Sequence, residues 1–147
     1  IRQYQQRIRK RKLGLKIGRV VMIAPPNHGS LFALKYKGGI AGLFFVGPVF
    51  EQLGPGFAKL KPSLDTPSRF GIIAGGKGDG QGFSLKTLPG DDDNSLTVKT
   101  TRLRGAADFR LVKLEHEELD DDPLVHKLTL KFLQAGFFET KATRKPI

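Results

Sequence analysis

RVVMIAPPNHGSLF, running from Arg19 to Phe32, is the stretch on which the fold turns. Arg19–Ala24 carries apolar side chains at consecutive rather than alternate positions, as a parallel strand covered by helices on both faces requires. Pro25 and Pro26 then remove two backbone donors and end the strand. Ser30 stands where it can cap a short helix over residues 30–37. His28, Gly29 and Ser30 together look like chemistry, yet no strained strand-to-helix elbow is written around Ser30. The expectation is therefore a corner: His28 as a loop residue bonded to backbone, and Ser30 as a cap rather than a nucleophile.

Ahead of that strand, residues 1–12 lack Gly and Pro and are mostly good helix formers, so a helix is expected there. Downstream, residues 38–57 mix Gly, Phe and Val without a clean period. That stretch reads as a packed apolar helical segment, with a broken helix or lid-like element over a groove and a membrane-touching patch as alternatives. A cap-like excursion would span 38–66, and Lys59–Ser68 reads as loop. Arg69–Gly75 is a second short apolar strand. The run GGKGDGQG after it matches neither GxGxxG nor the phosphate-cradling GxxxxGK[ST] spacing, and reads as a flexible loop. Three acids, Asp91, Asp92 and Asp93, precede a short apolar segment. Phe109–Leu114 is a third strand, ending at Glu115-His116. Pro123 opens a final helix with Leu124, Val125, Leu128 and Phe132 on one stripe, closed by Gly136. Strands alternating with helical segments imply an α/β domain with parallel strands and right-handed crossovers.

Composition narrows the class. The 147 residues make one domain with room for a core. There is no cysteine, hence no disulfide framework and no thiolate metal site. Nothing resembles a signal peptide, no apolar run approaches the ~20 residues needed to span a bilayer, and a soluble protein is expected. The opening IRQYQQ looks like the start of a piece cut from a longer reading frame. The net charge of +11 is uneven: residues 1–62 hold twelve Lys/Arg and a single acid, Glu51, whereas the remainder holds thirteen of each sign. Such asymmetry points toward nucleic acid or an anionic surface.

In an open parallel sheet, ligands bind outside the carboxyl ends of the strands. An acid after one strand and a His after the next is the second and third part of a Ser…Asp…His relay. The carboxylate would hold the imidazole tautomer, and the imidazole would take the nucleophile's proton. Asp91 and Asp92 read most simply as turn and solvent acids, Asp121 and Asp122 as acids at a helix N-terminus, and His126 as a surface or partly buried position on the last helix.

Taken together and in order, GRVVMIAPPNHGS, FGIIAGG, PGDDDNSLTVKTTRLRGAADFRLVKLEH and LTLKFLQAGFF resemble the C-terminal half of bacterial lipase-like α/β-hydrolases. The likeness is to the esterase branch related to triacylglycerol lipases and inositol deacylases, and it covers nearly the whole chain. It implies the C-terminal portion of an α/β-hydrolase sheet, about three parallel strands with crossover helices. It also implies Asp93 as the orienting acid, His116 as the general base, an acyl-ester or lipid substrate, and no metal or cofactor. In that family Gly follows the acid; here it is Asn94, which tolerates a left-handed turn. The family has Thr and Phe after its His; here Glu117 and Glu118 follow, and two carboxylates are expected to favour the protonated imidazole. The nucleophile of such enzymes sits in a GxSxG elbow, and none of these 147 residues form one.

Two functions follow from these features. The first is an ester-hydrolase portion supplying Asp93 and His116, inactive by itself. In the resembled fold the strand at 19–24 pairs with the nucleophile-bearing strand, so it should present a bare edge here, open to the missing half or to a second copy. The second is a basic module that sets its N-terminal Arg/Lys helix against nucleic acid or an anionic membrane surface. Few aromatics interleave the cations, which counts against nucleic acid.

Overall fold

The computed structural model describes residues 1–35, 47–84 and 86–147. Three strands, β1 (Val20–Ile23), β2 (Phe70–Gly75) and β3 (Asp108–Val112), form a parallel sheet in the order β1-β2-β3. The chain is thus of the α/β class. The register sets Val20 beside Phe70 and Gly71 beside Asp108, so all three strands end at the same side of the sheet.

Every residue of β2 is buried, which explains its unbroken apolar sequence. Its even positions, Phe70, Ile72 and Ala74, pack on one face with Met22, Ala106 and Phe109. Ile73 faces the opposite layer with Val112, Leu119 and the helix α6 (Pro123–Ala135), through Val125, Leu128 and Phe132. Gly71 lets that helix approach closely, since a Cβ there would lie 2.5 Å from the Phe132 ring and 2.8 Å from that of Phe138.

Helix α1 (Arg2–Lys10) buries only Ile8. It is tied across its flank by Arg2, whose guanidinium donates to the Asp65 carbonyl at 2.7 Å and to Asn27 Oδ1 at 3.0 Å. Helix α2 (Leu31–Lys35) begins at Ser30, whose Oγ accepts the Ala33 N–H at 3.1 Å, the N-cap expected from sequence. Helices α3 (Gly47–Leu53) and α4 (Phe57–Leu60) follow, and then a single 3₁₀ turn at Lys61–Ser63. Helix α5 (Val98–Thr101), capped by Thr97, lies between β2 and β3.

Several expectations need correction. The excursion at 38–66 falls partly outside the described residues, at 38–46; from 47 onward it is the two short helices and the turn. Lys59–Ser68 is not wholly loop, because Lys59 and Leu60 belong to α4 and Pro62, second in the 3₁₀ turn Lys61–Ser63, is tolerated in a first turn whose N–H has no partner within it. Leu124 does not join the buried stripe of α6: it is 53 % exposed, one position out of phase with Val125, Leu128 and Phe132. Gly136 does close that helix, in the left-handed conformation at φ 83°, while Arg19 Nη1 donates to the carbonyls of Leu133 and Gln134. Among the described residues β1 pairs only with β2, so its outer edge is open.

Candidate functional site

The three acids Asp91, Asp92 and Asp93 lie in the loop that follows β2, and each holds a different part of it. Asp91 accepts from the backbone of Lys77 at 2.9 Å and Gly78 at 2.8 Å, pinning the glycine-rich run against the loop's far arm. Asp92 is fully buried and accepts from Ser84 N, Ser84 Oγ and Asn94 N at 3.0, 2.7 and 2.8 Å. The sequence-based placement of Asp92 in solvent is therefore wrong. Its carboxylate replaces water with three donors, the condition on which a buried charge is stable.

Asp93 is fully buried as well. Its Oδ1 accepts from Ser95 N at 3.0 Å and Leu96 N at 2.6 Å, and its Oδ2 faces His116 Nδ1 at 2.8 Å. The backbones are joined too, since the His116 N–H donates to the Asp93 carbonyl at 2.8 Å. Asn94 takes the left-handed conformation, φ 76°, that lets the chain reverse between Asp93 and Leu96. Gly75, at the end of β2, makes the approach sterically feasible: a Cβ there would stand 2.6 Å from the Leu114 carbonyl and 2.8 Å from Asp93 Cβ.

His116 opens the 3₁₀ turn His116–Glu118 after β3. That turn carries a capping box: the Glu118 side chain accepts from Glu115 N at 2.8 Å, and Glu115 returns the bond. Glu118 is thus turned back onto the backbone. The imidazole titrates above its ordinary value, chiefly because the hydrogen bond to Asp93 favours its charged form. Burial opposes this, while the charges of Asp93, Asp120 and Glu117 add to it. The expectation of two flanking carboxylates is therefore half right, with Asp120 acting where Glu118 was expected. A carboxylate partner fixes the proton on Nδ1, which leaves Nε2 as the ring nitrogen open to a bound group.

The imidazole borders a cleft of about 320 Å³. Its other described walls are apolar side chains, from Ala24, Pro26, Phe32, Ala33, Val49, Phe50, Leu53 and Leu96, with the hydroxyl residues Ser30 and Ser95 beside them. The Phe32 and Phe50 rings meet edge-on at 6.0 Å, joining α2 to α3 over the cleft. The volume stands at the lower end of the ~300–1,000 Å³ usual for small-molecule sites. A larger groove, about 910 Å³, lies at the opposite end of the sheet, where Gly18 and Arg69 lead into β1 and β2. Size does not choose between them; the dyad of Asp93 and His116 belongs to the smaller one.

The remaining candidates are placed apart from the dyad or in supporting positions. His28 is exposed, and its backbone N–H donates to the Thr100 carbonyl at 3.1 Å. Ser30 is buried, its Oγ engaged with Ala33 N as described. His126 is exposed and its Nε2 contacts the Asp120 carbonyl. Asp122 caps α6, accepting from Leu124 N and Val125 N at 2.8 and 3.1 Å. Among the described residues no cluster of three or more His, Cys, Asp or Glu is arranged to hold a metal ion. No described helix is long and apolar enough to cross a membrane.

Sequence reasoning missed Asp108, which is buried and accepts from Phe109 N, Phe138 N and Lys145 N at 2.9, 2.8 and 2.9 Å. It also missed Asn27, the buried hub that receives Arg2 and donates to the Thr101 carbonyl at 2.8 Å. No protein-family model, curated protein or solved structure matches this chain.

Proposed function

We propose that this chain supplies the acid and the base of a carboxylic-ester hydrolase with a serine nucleophile, on the C-terminal portion of an α/β-hydrolase sheet. The observation that carries the proposal is the bond from His116 Nδ1 to the buried Asp93 carboxylate, 2.8 Å, beside an apolar cleft. In this scheme His116 Nε2 takes the proton of a serine hydroxyl as that oxygen attacks the ester carbonyl. It then returns the proton to the leaving alcohol. Asp93 keeps the imidazole in the Nδ1–H tautomer and stabilises the imidazolium between the two steps. The cleft would take the acyl chain, which needs apolar walls. A raised imidazole value means that the neutral base accumulates only as the pH climbs through it, so turnover should rise along that limb.

The serine is the part these 147 residues do not carry in a GxSxG elbow. A strand bearing it would pair with the open edge of β1, contributed by preceding sequence or by another chain. The purified chain is accordingly expected to leave p-nitrophenyl esters no more hydrolysed than His116→Ala does. Joined to a segment that carries a strand, a GxSxG turn and a helix, encoded ahead of Ile1 or on another chain, it is expected to hydrolyse them, with loss in His116→Ala and Asp93→Asn. No hydrolysis by the joined protein, or hydrolysis indifferent to His116, would sink the proposal.

A further inference from the structure

The far end of the sheet from the dyad carries a different kind of surface. Ile1–Arg19 holds eight Lys/Arg and no acid. Three of these cations are engaged: Arg2 with Asp65 and Asn27, Arg9 with the Asp65 carboxylate at 2.9 Å, and Arg19 with the end of α6. Arg7, Lys10, Arg11, Lys12 and Lys16 are exposed, and among the described residues they form no ion pair. Between them the segment Lys12–Arg19, KLGLKIGR, alternates cations with aliphatics, and Leu13 and Leu15 are 50 % and 56 % exposed. Residues 12–18, with Ile8, Arg9 and Arg69, wall the groove of about 910 Å³.

We propose that this face docks on an anionic lipid surface, with Leu13 and Leu15 entering the interfacial region and Lys10, Arg11, Lys12 and Lys16 meeting lipid phosphates. The charge is complementary to such a surface, on which each Lys or Arg strengthens binding about fivefold. Charge alone would serve a nucleic acid equally well. The aliphatics decide between the two, because two half-exposed leucines gain nothing from a phosphate backbone but are drawn into an acyl boundary. A single-stranded nucleic acid would instead want stacking rings, and Tyr4 is the one aromatic in Ile1–Arg19. Lysine stems bordering the leucines can extend along the apolar contact and keep their ammonium groups at headgroup level. This docking is independent of any ester chemistry at the other end.

The test is co-sedimentation of the whole chain with vesicles of phosphatidylcholine alone, or of phosphatidylcholine and phosphatidylglycerol in equal amounts, against a DNA duplex at matched phosphate. Binding is expected to the mixed vesicles, to weaken with added salt, and to be weak on phosphatidylcholine. The double variant Leu13→Ser/Leu15→Ser, which leaves every charge in place, is expected to lose about tenfold or more in vesicle partition. Lys12→Gln/Lys16→Gln is expected to lose a similar factor on mixed vesicles only. Both variants alter exposed side chains, and an unchanged circular dichroism spectrum establishes that the fold is intact. No partition onto mixed vesicles would overturn the proposal, as would duplex binding at least as tight and indifferent to the leucine variant. Self-association that the leucine variant abolishes would assign the face to a second copy and equally overturn it.

Discussion

The two ends of the sheet are built on opposite electrostatic terms. At the carboxyl end, Asp92 and Asp93 are fully buried, and each carboxylate is matched by three polar partners. At the amino end, five cations stand in water without ion-pair partners among the described residues. A buried charge survives only where its geometry is over-determined, since every missing donor costs desolvation free energy. An exposed charge costs little and fixes little. The carboxyl end is thus the part of the molecule whose side-chain positions are specified, and the amino end is the part left available to something outside it.

The largest test of that contrast is Asp92→Ala. It leaves Ser84 N, Ser84 Oγ and Asn94 N without their acceptor, and a loss of about 3–5 kcal/mol in urea unfolding is expected. A loss below about 1 kcal/mol would mean that the loop is less determined than its bonds imply. A smaller effect, of a distinctive kind, is expected at the dyad. The His116 value is raised in the folded chain, so its contribution to stability is fully present below the unfolded value, about 6.5. That contribution is lost as the pH rises through the raised folded value. In Asp93→Asn the main cause of the elevation is gone, burial is opposed only by the charges of Asp120 and Glu117, and the imidazole should titrate lower in an NMR titration. This part of the pH dependence of unfolding should fade with it. An unchanged His116 titration in that variant would remove Asp93 as the cause. The smallest effect belongs to the other end: Lys12→Gln/Lys16→Gln should alter the unfolding free energy by no more than about 0.5 kcal/mol. A larger change would show that the amino end is held by its cations after all.

Much of the architecture was legible because local signals and the fold agree. The unbroken apolar run of Phe70–Gly75, short and followed by glycines, suits a strand covered on both faces, and it is the central one. Ser30 and Gly136 mark helix ends by chemistry that acts within a few residues, and both do so here. An acid and His116 could be set after successive strands because strand order and chain order coincide, whereas the choice of Asp93 among the three acids rested on the resemblance to lipase-like hydrolases. What stayed hidden depends on distant partners. Nothing near Asp108 announces that its acceptors are filled by Phe138 and Lys145, thirty and thirty-seven residues away. Asp91, Asp92 and Asp93 are identical in sequence terms, and only the fold of the glycine-rich run decides that Ser84 reaches the middle one. Leu124 shows the limit of helical phase: one residue, about 100°, separates a core position from solvent.

Helix α1, with nine residues and hence about 13 Å of length, runs between these two ends, from Arg2 beside Asn27 toward Lys10 near the cationic arm. It gives the molecule a sidedness. A surface that holds the arm would leave the cleft of His116 turned toward bulk water, so whatever enters would arrive as a dissolved molecule, one encounter at a time, instead of sliding in from the plane of a bilayer. Supply to the cleft would then follow the solubility of the incoming molecule and not its density in a film.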